Sequence, residues 1–557
     1  MEQHDAHLQH NKSHDRIAES LSFAARFSNL SPVNDSRRAC GGELLFAFLS
    51  GTLLAVSFPK FYQAWLAWLA PGFILLAVHG SSPRQIIWKG LIAGFGNYLV
   101  SLSWMLATPS LIKAFVGYLV VCAIQSGYLA IWCCVCWALL ARRSGPVDPA
   151  IPPLVAQFKT LSLRQRIAWP FFCAAAWVAM EMCRARFFIG FPWNFLGVSQ
   201  FEKASLIQTS SLTGVYGVSF LLAWVSVSLL AAALMLRGGL RFILRALVQV
   251  AMPAVAIVGA LYYGSGRLEE SDAGLLTLRI ALIQPSFSAR TLQGADKSPE
   301  PTTKLVELTQ ASLKFQPDLI VTPELAAPYK ATLQSVAGLA RTEHLWLVAG
   351  VRWTPLDTNF FDGAVLLDPN GPIAGEPIQS YRPRVVQLLG DFLPAINFVR
   401  KETNTVFEIQ KPRVRFTPMA SGEDLLPQEA RRRTGDDVDF LLHLRGEADI
   451  GASPAQWQHA ANAVFRSIEN GLPMVRSANK GLSCWIDSRG RIHDAYFDNS
   501  DDVHQTGVKI VEVPLYGAAP SHPATLYHRH GDWFGWGCVG VVGVALVLRA
   551  VGRPKSG

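Results

Sequence analysis

Charged residues are scarce in this chain, and several motifs that mark soluble enzymes are missing. Only 16% of its 557 residues are Asp, Glu, Lys or Arg, whereas 50% are hydrophobic. A soluble protein of this length would carry more charge, so composition alone favours a polytopic membrane protein. No GxGxxG, Walker or zinc-type spacing occurs, which leaves nucleotide- and metal-dependent functions without support. We therefore predict no cofactor and no metal site.

Cysteine is nearly missing from the block between Leu275 and Tyr516. Of the nine cysteines in the chain, only Cys484 lies there, so this block has no internal disulfide. Its roughly 240 residues are enough to form a stable core of their own. We interpret Cys484 as an inert, buried thiol.

Long apolar stretches flank this block on both sides. The candidate spans are 43–57, 61–79, 87–107, 112–140, 167–185, 212–236, 243–263 and 533–550. Most have the ~20 residues needed to cross ~30 Å of hydrocarbon. The sequence thus predicts a polar tail (1–42), a seven-span membrane domain (43–264), an inserted soluble domain (275–516) and an eighth, C-terminal span (533–550).

The basic residues predict how these spans are oriented. Arginines and lysines cluster at 37–38, 84–89, 142–166, 237–241 and 549–555. Threading eight spans places every cluster on one side of the membrane, which the positive-inside rule identifies as cytoplasmic. We therefore expect both termini inside and the soluble block outside the cytoplasm. The net charge of +9 mostly reflects this topology, and we expect no nucleic-acid partner.

The soluble block alternates strand-like and helix-like segments with short links, which is typical of a layered α/β fold. Glu324 follows the strand-like run Asp318 to Thr322 and is preceded by a proline. A carboxylate fixed at the end of a strand among apolar residues is suited to act as a general base. An alternative is that Glu324 caps the next helix. The residues alone leave both interpretations open.

Three side chains of the membrane half are candidates for contact with substrate. Glu181 and Arg184 are three residues apart on one helical face, at the edge of a predicted span. Ionisable residues in such places are usually functional or tightly structural, and we expect this pair to shape a substrate cleft. Trp193 either touches lipid substrate or is an interfacial anchor. In the soluble block, we interpret His459 as a structural contact.

Several motifs in a fixed order identify the chain as similar to a known family. They are Trp177…Glu181…Arg184, GFPWNFLGVSQ (190–200), VTPELAAP (321–328), PAQWQHAANAVFRSIENGLPMVRSANKG (454–481) and LYHRHGDWFGW (526–536). Together they resemble the apolipoprotein N-acyltransferase family, whose soluble part is a nitrilase-like α-β-β-α sandwich. The resemblance implies a bacterial inner-membrane protein. It also implies a phospholipid acyl donor and, as acceptor, the N-terminal amine of a diacylated lipoprotein.

The resemblance implies a Glu–Lys–Cys triad, and this chain departs from it at two positions. Carried over by motif, the glutamate is Glu324, while Pro383 stands at the lysine position. Ser421 stands at the cysteine position. A serine hydroxyl is far less acidic than a thiol with a pKa of ~8.5, so it needs an adjacent base to attack at neutral pH.

Further residues near these two positions are candidates for the same site. Glu423 corresponds to a carboxylate retained from the family's pattern, and Asp391 stands where the family has glutamate. Arg382 and Arg384 flank Pro383 and are possible substitute cations, because a guanidinium suits a developing oxyanion.

Three functional hypotheses remain open at this stage. The first is a working acyltransferase in which Ser421 attacks with Glu324 or Glu423 as base. The second is a catalytically degenerate scaffold that still binds lipid or lipoprotein. The third is an acyltransferase or amidase with a different acceptor. Detection of an acyl group on Ser421 would separate the second from the other two.

Overall fold

The computed structural model of the protein describes most of the chain beyond the polar tail. The described residues are 41–78, 82–107, 111–140, 158, 161–186, 191–236, 243–269, 276–288, 291–292, 299–324, 329–353, 361–370, 379–381, 385–389, 393–399, 405–420, 422–435, 437–446, 453–497, 502–516 and 524–551.

Helices form the membrane half and the outer layers of the soluble half. In chain order they are α1 (Gly41–Val56), α2 (Ala70–Ala77), α3 (Pro83–Ser101), α4 (Leu111–Leu140), α5 (Leu163–Arg186), α6 (Ala204–Ile207), α7 (Ser210–Thr213), α8 (Val215–Leu236), α9 (Ile243–Glu269), α10 (Glu300–Ser312), α11 (Tyr329–Thr342), α12 (Pro427–Arg433), α13 (Ala455–Asn470), α14 (Leu526–His530) and α15 (Trp533–Val551).

Four of these helices are long and apolar enough to cross a membrane. They are α8, α9, α15 and the part of α4 from Ala114 to Leu140. The prediction of eight spans is therefore confirmed only in part. The predicted span 61–79 is divided into a 3-10 turn, Ala64–Trp68, and the short helix α2, whose start at Ala70 is favoured by Pro71.

Small residues allow the membrane helices to pack closely. A Cβ atom added to Gly51 of α1 would lie 1.7 Å from the carbonyl oxygen of Ala93 in α3. Only glycine fits there, as is common where membrane helices approach through their backbones.

The soluble half contains fourteen described strands. They are β1 (Leu276–Gln284), β2 (Leu319–Val321), β3 (Trp346–Trp353), β4 (Phe361–Leu367), β5 (Gln379–Tyr381), β6 (Val385–Leu389), β7 (Leu393–Val399), β8 (Phe407–Ile409), β9 (Val414–Ala420), β10 (Phe440–Arg445), β11 (Met474–Ala478), β12 (Cys484–Ile486), β13 (Ile492–His493) and β14 (Gly507–Leu515).

Two six-stranded sheets carry this half, in the orders β14-β1-β2-β3-β4-β5 and β13-β12-β11-β10-β9-β8. The central strands β1, β2 and β3 are parallel, as are β9, β10 and β11. Strands β6 and β7 form a separate hairpin.

Side-chain alternation along the strands creates four layers. On β1, Ile280 and Leu282 face the second sheet and share a buried core with Phe440 and Leu442 of β10. Their neighbours on the opposite face pack under α10 and α11, because successive side chains of a strand point to opposite faces. Helix α13 covers the outer face of the second sheet. The predicted α/β sandwich is therefore present, and Cys484 is fully buried in it.

Helix α13 also joins the soluble half to the membrane half. Its apolar side chains belong to the same buried cluster as those of the membrane helices. At its end, Glu469 Oε1 accepts a hydrogen bond of 2.8 Å from the backbone N–H of Val215, the first residue of α8. A carboxylate of the soluble half thus caps a membrane helix, where the first N–H groups have no partner within the helix.

Candidate functional site

Glu324 lies just beyond the carboxyl end of β2 and is 8% exposed. Its Oε2 accepts a hydrogen bond of 2.9 Å from the backbone N–H of Gly446, which follows β10 of the second sheet. The backbone before it is fixed because Thr322 N–H donates to Val348 O at 2.9 Å. The carboxylate therefore joins the ends of two central strands from different sheets.

A glycine makes this placement possible. A Cβ atom added to Gly350 of β3 would lie 2.3 Å from the carbonyl oxygen of Pro323 and 2.7 Å from the backbone nitrogen of Glu324. Such contacts are far inside van der Waals distance, so the chain before Glu324 can run here only beside glycine.

The strand that precedes Ser421 ends at the same edge of the sandwich. In the parallel pairing of β9 with β10, Ala420 lies opposite Leu444, two residues before Gly446. Glu324 and the end of β9 are thus adjacent to the same stretch of β10. Ser421, Arg382, Pro383, Arg384 and Asp391 lie outside the described residues, so their predicted roles stay predictions.

Glu423 begins the 3-10 turn Glu423–Leu425 and is completely buried. It forms an ion pair with Arg433 of α12 and accepts a hydrogen bond of 3.2 Å from the backbone N–H of Ala420. The Glu423 carboxylate thus connects the turn to α12 and to the end of β9. Of the two carboxylates predicted to serve as base, Glu324 is the one that lies at the ends of two central strands.

A buried polar network that the sequence did not predict lies next to this turn. Asp424 Oδ2 is 3.0 Å from Arg476 Nη1, and its Oδ1 is 2.7 Å from His459 Nε2 and 3.5 Å from His443 Nε2. All four side chains are at most 1% exposed. Burial holds the pKa of His443 well below its usual range, so this ring is neutral.

The positions of the hydrogens follow from Arg476, which can only donate. Its Nη1 lies 3.1 Å from Nδ1 of His443 and its Nη2 lies 3.5 Å from Nδ1 of His459. Nδ1 of His443 is therefore an acceptor, and in this neutral ring the proton is on Nε2. The carboxylate of Asp424 pairs with one cation, and Nε2 of each imidazole lies within 3.5 Å of it.

Asp424, His443 and His459 also satisfy the distance requirement for a metal site, since one ligand atom of each lies within 4.8 Å of the others. The donors do not fit a cation, however. A metal bound through Nε2 of His443 would need the lone pair of an atom that carries the proton, and the guanidinium of Arg476 already neutralises the carboxylate. We interpret the three residues as part of a closed polar network.

In the membrane half, Glu181 and Arg184 line one cavity, and the prediction that they shape a substrate cleft stays a prediction. Glu181 Oε1 accepts hydrogen bonds from Trp177 Nε1 at 2.9 Å and from the backbone N–H of Leu196 at 2.7 Å. Arg184 contacts the hydroxyl of Tyr98 and the carbonyl oxygen of Asn194. The cavity is partly open, and its volume is about 40 Å³. Its lining is Leu54, Phe58, Asn97, Tyr98, Tyr128, Leu129, Trp132, Trp177, Met180, Glu181, Arg184, Asn194 and Leu196.

Trp193 lies at the junction of the two halves and is only 3% exposed. Its indole N–H donates to Gln458 Oε1 of α13 at 2.7 Å. Its ring stacks on His459, with the centroids 5.7 Å apart and the planes 8° apart. The indole is thus a contact between the membrane half and the soluble half. It lacks the exposed face that an anchor in lipid headgroups needs.

The family models identify the class of the protein. Residues 279–515, which include Glu324 and most of the two-sheet sandwich, match the model described as carbon–nitrogen hydrolase. Residues 50–228 match the model described as the N-terminal domain of apolipoprotein N-acyltransferase.

Whole-length relatives identify the particular family. The chain is 30% identical over 548 residues to an apolipoprotein N-acyltransferase of Geobacter metallireducens, a match that covers 92% of this chain and 96% of the relative. Enzymes of the same name from Brucella melitensis (28% over 534 residues; 88% and 93% covered) and Vibrio vulnificus (25% over 512 residues; 87% and 92% covered) are also similar. The chain belongs to the apolipoprotein N-acyltransferase family.

Two solved structures of the nitrilase superfamily are similar to part of this chain. Yeast Nit3, a member of branch 10 of the nitrilase superfamily, is 14% identical, with a TM-score of 0.34, and the match covers 45% of this chain and 93% of Nit3. An amidase from Nesterenkonia is 16% identical with a TM-score of 0.33, covering 44% and 94%.

Proposed function

We propose that this protein transfers an acyl chain from a phospholipid to the N-terminal amine of a diacylated lipoprotein, with Glu324 as general base. The observation that carries the proposal is the position of Glu324, which is held by Gly446 at the edge of the sandwich where β9 ends. Membership of the family supports the choice of substrates, since the relatives carry the name apolipoprotein N-acyltransferase.

In the proposed first step, Glu324 takes the proton of the Ser421 hydroxyl while its oxygen attacks the ester carbonyl of the phospholipid. The carbon–oxygen bond to the glycerol breaks, Glu324 returns the proton to that oxygen, and lysophospholipid leaves. Arg382 or Arg384 would stabilise the oxyanion in place of the family's lysine. An acyl ester on Ser421 remains.

In the second step, the free amine of the lipoprotein attacks this ester. Glu324 takes a proton from the amine and gives it to the Ser421 oxygen as that oxygen leaves. The product is an amide, and the serine is restored. No further reactant is needed, because every proton moves between the substrates, Glu324 and Ser421.

The membrane half would supply the lipid. We propose that the cavity lined by Glu181 and Arg184 is part of the substrate cleft, and that Trp193, which precedes Asn194 of its lining in the chain, connects this region to the soluble half. Its support is the pairing of buried ionisable groups with apolar walls formed by Phe58, Trp132 and other residues.

For topology, we propose eight spans in the bacterial inner membrane, with domain boundaries at 1–42, 43–264, 275–516 and 533–550. Both termini would be cytoplasmic and the sandwich extracytoplasmic. The distribution of basic residues supports this orientation. Reporter fusions at Gly294 and Gly557 are expected to give opposite compartment signals, and equal signals would exclude the arrangement.

The second candidate function is a degenerate family member that binds lipid or lipoprotein without turnover. Pro383 and Ser421 favour it, since they replace the lysine and cysteine that the family's chemistry uses. The ion pair of Glu423 with Arg433 also supports this second function, because it leaves Glu324 as the one base of the proposed reaction.

Complementation of a bacterial strain depleted of its own N-acyltransferase separates the two functions. We expect the natural protein to restore growth, and Glu324→Gln and Ser421→Ala each to abolish it. Mass spectrometry should then find an acyl group on Ser421 when the amine acceptor is withheld. Failure of the natural protein, with normal insertion in the membrane, would favour the degenerate function.

A further inference from the structure

The 3-10 turn Glu423–Leu425 lies two residues after Ser421 and is held from two directions. On its polar side, Asp424 enters the closed network with Arg476, His443 and His459. On its apolar side, Leu425 belongs to a buried cluster with Trp104, Phe191 and Trp193 of the membrane half. The chain that leaves the reacting position is therefore seated partly on the membrane half.

Trp193 is the residue that touches both of these supports. It shares the apolar cluster of Leu425, and its ring covers the face of His459 at a centroid distance of 5.7 Å. His459 in turn lies 2.7 Å from Asp424, a close approach although not an ideally aligned one. A displacement of the indole is thus transmitted to the turn by packing and by a polar contact.

The indole itself is held in a fixed orientation. Its N–H can only donate, and it donates to Gln458 Oε1. Gln458 is oriented in turn because its Nε2 donates to the carbonyl oxygen of Pro59, at 3.1 Å. Trp104 packs against the indole at a centroid distance of 4.7 Å. These contacts tie the orientation of Trp193 to two loops of the membrane half.

We propose that Trp193 is a positioning residue, which acts through His459 and Asp424 to set the conformation of the turn Glu423–Leu425, two residues after Ser421. The proposal rests on the proposed function only for the role of Ser421 as the reacting residue. In this proposal the membrane half does more than bind lipid. It also fixes the conformation of the turn next to the proposed acylation site.

The test uses a reporter thiol in the full-length protein in detergent. Ser421→Cys is introduced, and the rate at which iodoacetamide alkylates Cys at position 421 is followed by peptide mass spectrometry. Hydrogen exchange of the peptide 415–430 is measured in parallel. Neither measurement needs catalysis, so a failure of complementation would overturn the proposed function and leave this result unaffected.

The decisive pair is Trp193→Leu, which removes the flat ring, and Trp193→Phe, which keeps one over His459. We expect Trp193→Leu to change the alkylation rate at least fivefold and to speed exchange in the peptide, while Trp193→Phe stays within twofold of its parent. If Trp193→Leu does not fold, His459→Gln is measured instead, and the same fivefold change in alkylation rate is expected. Glutamine keeps an N–H that can face Asp424 but has no ring for Trp193 to stack on.

Trp457→Ala is the matched control. Trp457 is on the same helix as His459 but is half-buried and packs against Tyr496, with centroids 6.1 Å apart. We expect it to leave both measurements within twofold of the parent. An unchanged rate in Trp193→Leu, or an equal change in Trp457→Ala, would overturn the proposal.

Discussion

The two halves of this protein bury ionisable groups in opposite ways. In the soluble half, the carboxylate of Asp424 is surrounded by Arg476 and two imidazole rings, and all four side chains are at most 1% exposed. In the membrane half, Glu181 and Arg184 have partners on one side and a partly open cavity on the other. The first network is enclosed by protein, and we interpret it as a contribution to the fold. Glu181 and Arg184 border a cavity that a ligand could enter, so this cavity is the better candidate for a substrate site.

The largest effect is expected from opening the closed network. Arg476→Met would leave the carboxylate of Asp424 buried without a cation, a change that typically costs about 3–5 kcal/mol. We expect the thermal midpoint of the detergent-solubilised protein to fall by at least about 6 °C. Arg415→Met is the control, since Arg415 is 30% exposed in its ion pairs and such a pair contributes at most ~1 kcal/mol. Equal shifts in the two variants would mean that the network is not the stabilising unit we describe.

A smaller loss is expected in the membrane half. Arg184→Met removes the cation beside Glu181, but Oε1 of that carboxylate keeps its two donors, Trp177 and the backbone of Leu196. We expect a cost of about 1–2 kcal/mol, close to that of one lost polar partner, with a midpoint clearly above that of Arg476→Met. The same melting experiment checks it. If Arg184→Met were the less stable variant, the distinction between open and closed sites would be wrong.

The smallest effect concerns acidification. Because burial lowers the folded-state pKa of His443, the unfolded chain binds more protons below pH ~6.5, and stability falls as pH falls. One group accounts for at most ~1.4 kcal/mol between pH 6.5 and 5.5. Between pH 6.5 and 5.5, the melting midpoint should fall less steeply with decreasing pH in His443→Gln than in the natural protein. His344→Gln is the control, because it changes an exposed histidine. In this variant the dependence of the melting midpoint on pH should stay as in the natural protein.

The layered half was largely predictable from local sequence. The apolar runs at 278–283, 440–444 and 474–478 lie in β1, β10 and β11, and the helical pattern of 454–470 is α13. These segments are decided by short-range periodicity and by burial on both faces, which a reader of the sequence can see. The placement of Glu324 beyond β2 follows from the same reasoning.

The membrane half and the polar network are harder to predict from the sequence, for a physical reason. Whether an apolar run such as 61–79 forms one span or a broken segment depends on its neighbours, and here Pro71 begins a separate short helix. Asp424 and Arg476 are 52 residues apart in the chain, and nothing local shows that they meet. Of the four residues in the network, the sequence points only to His459, as a structural contact, and its stacking on Trp193 is such a contact.

The bond between Glu469 and the start of α8 has a consequence for biogenesis. Until the sandwich has folded and α13 has docked, the N–H of Val215 lacks the acceptor it has in the finished protein. Yet α8 precedes the sandwich in the chain and leaves the ribosome first. The polar cap of this membrane helix is therefore completed only by a domain that is synthesised afterwards.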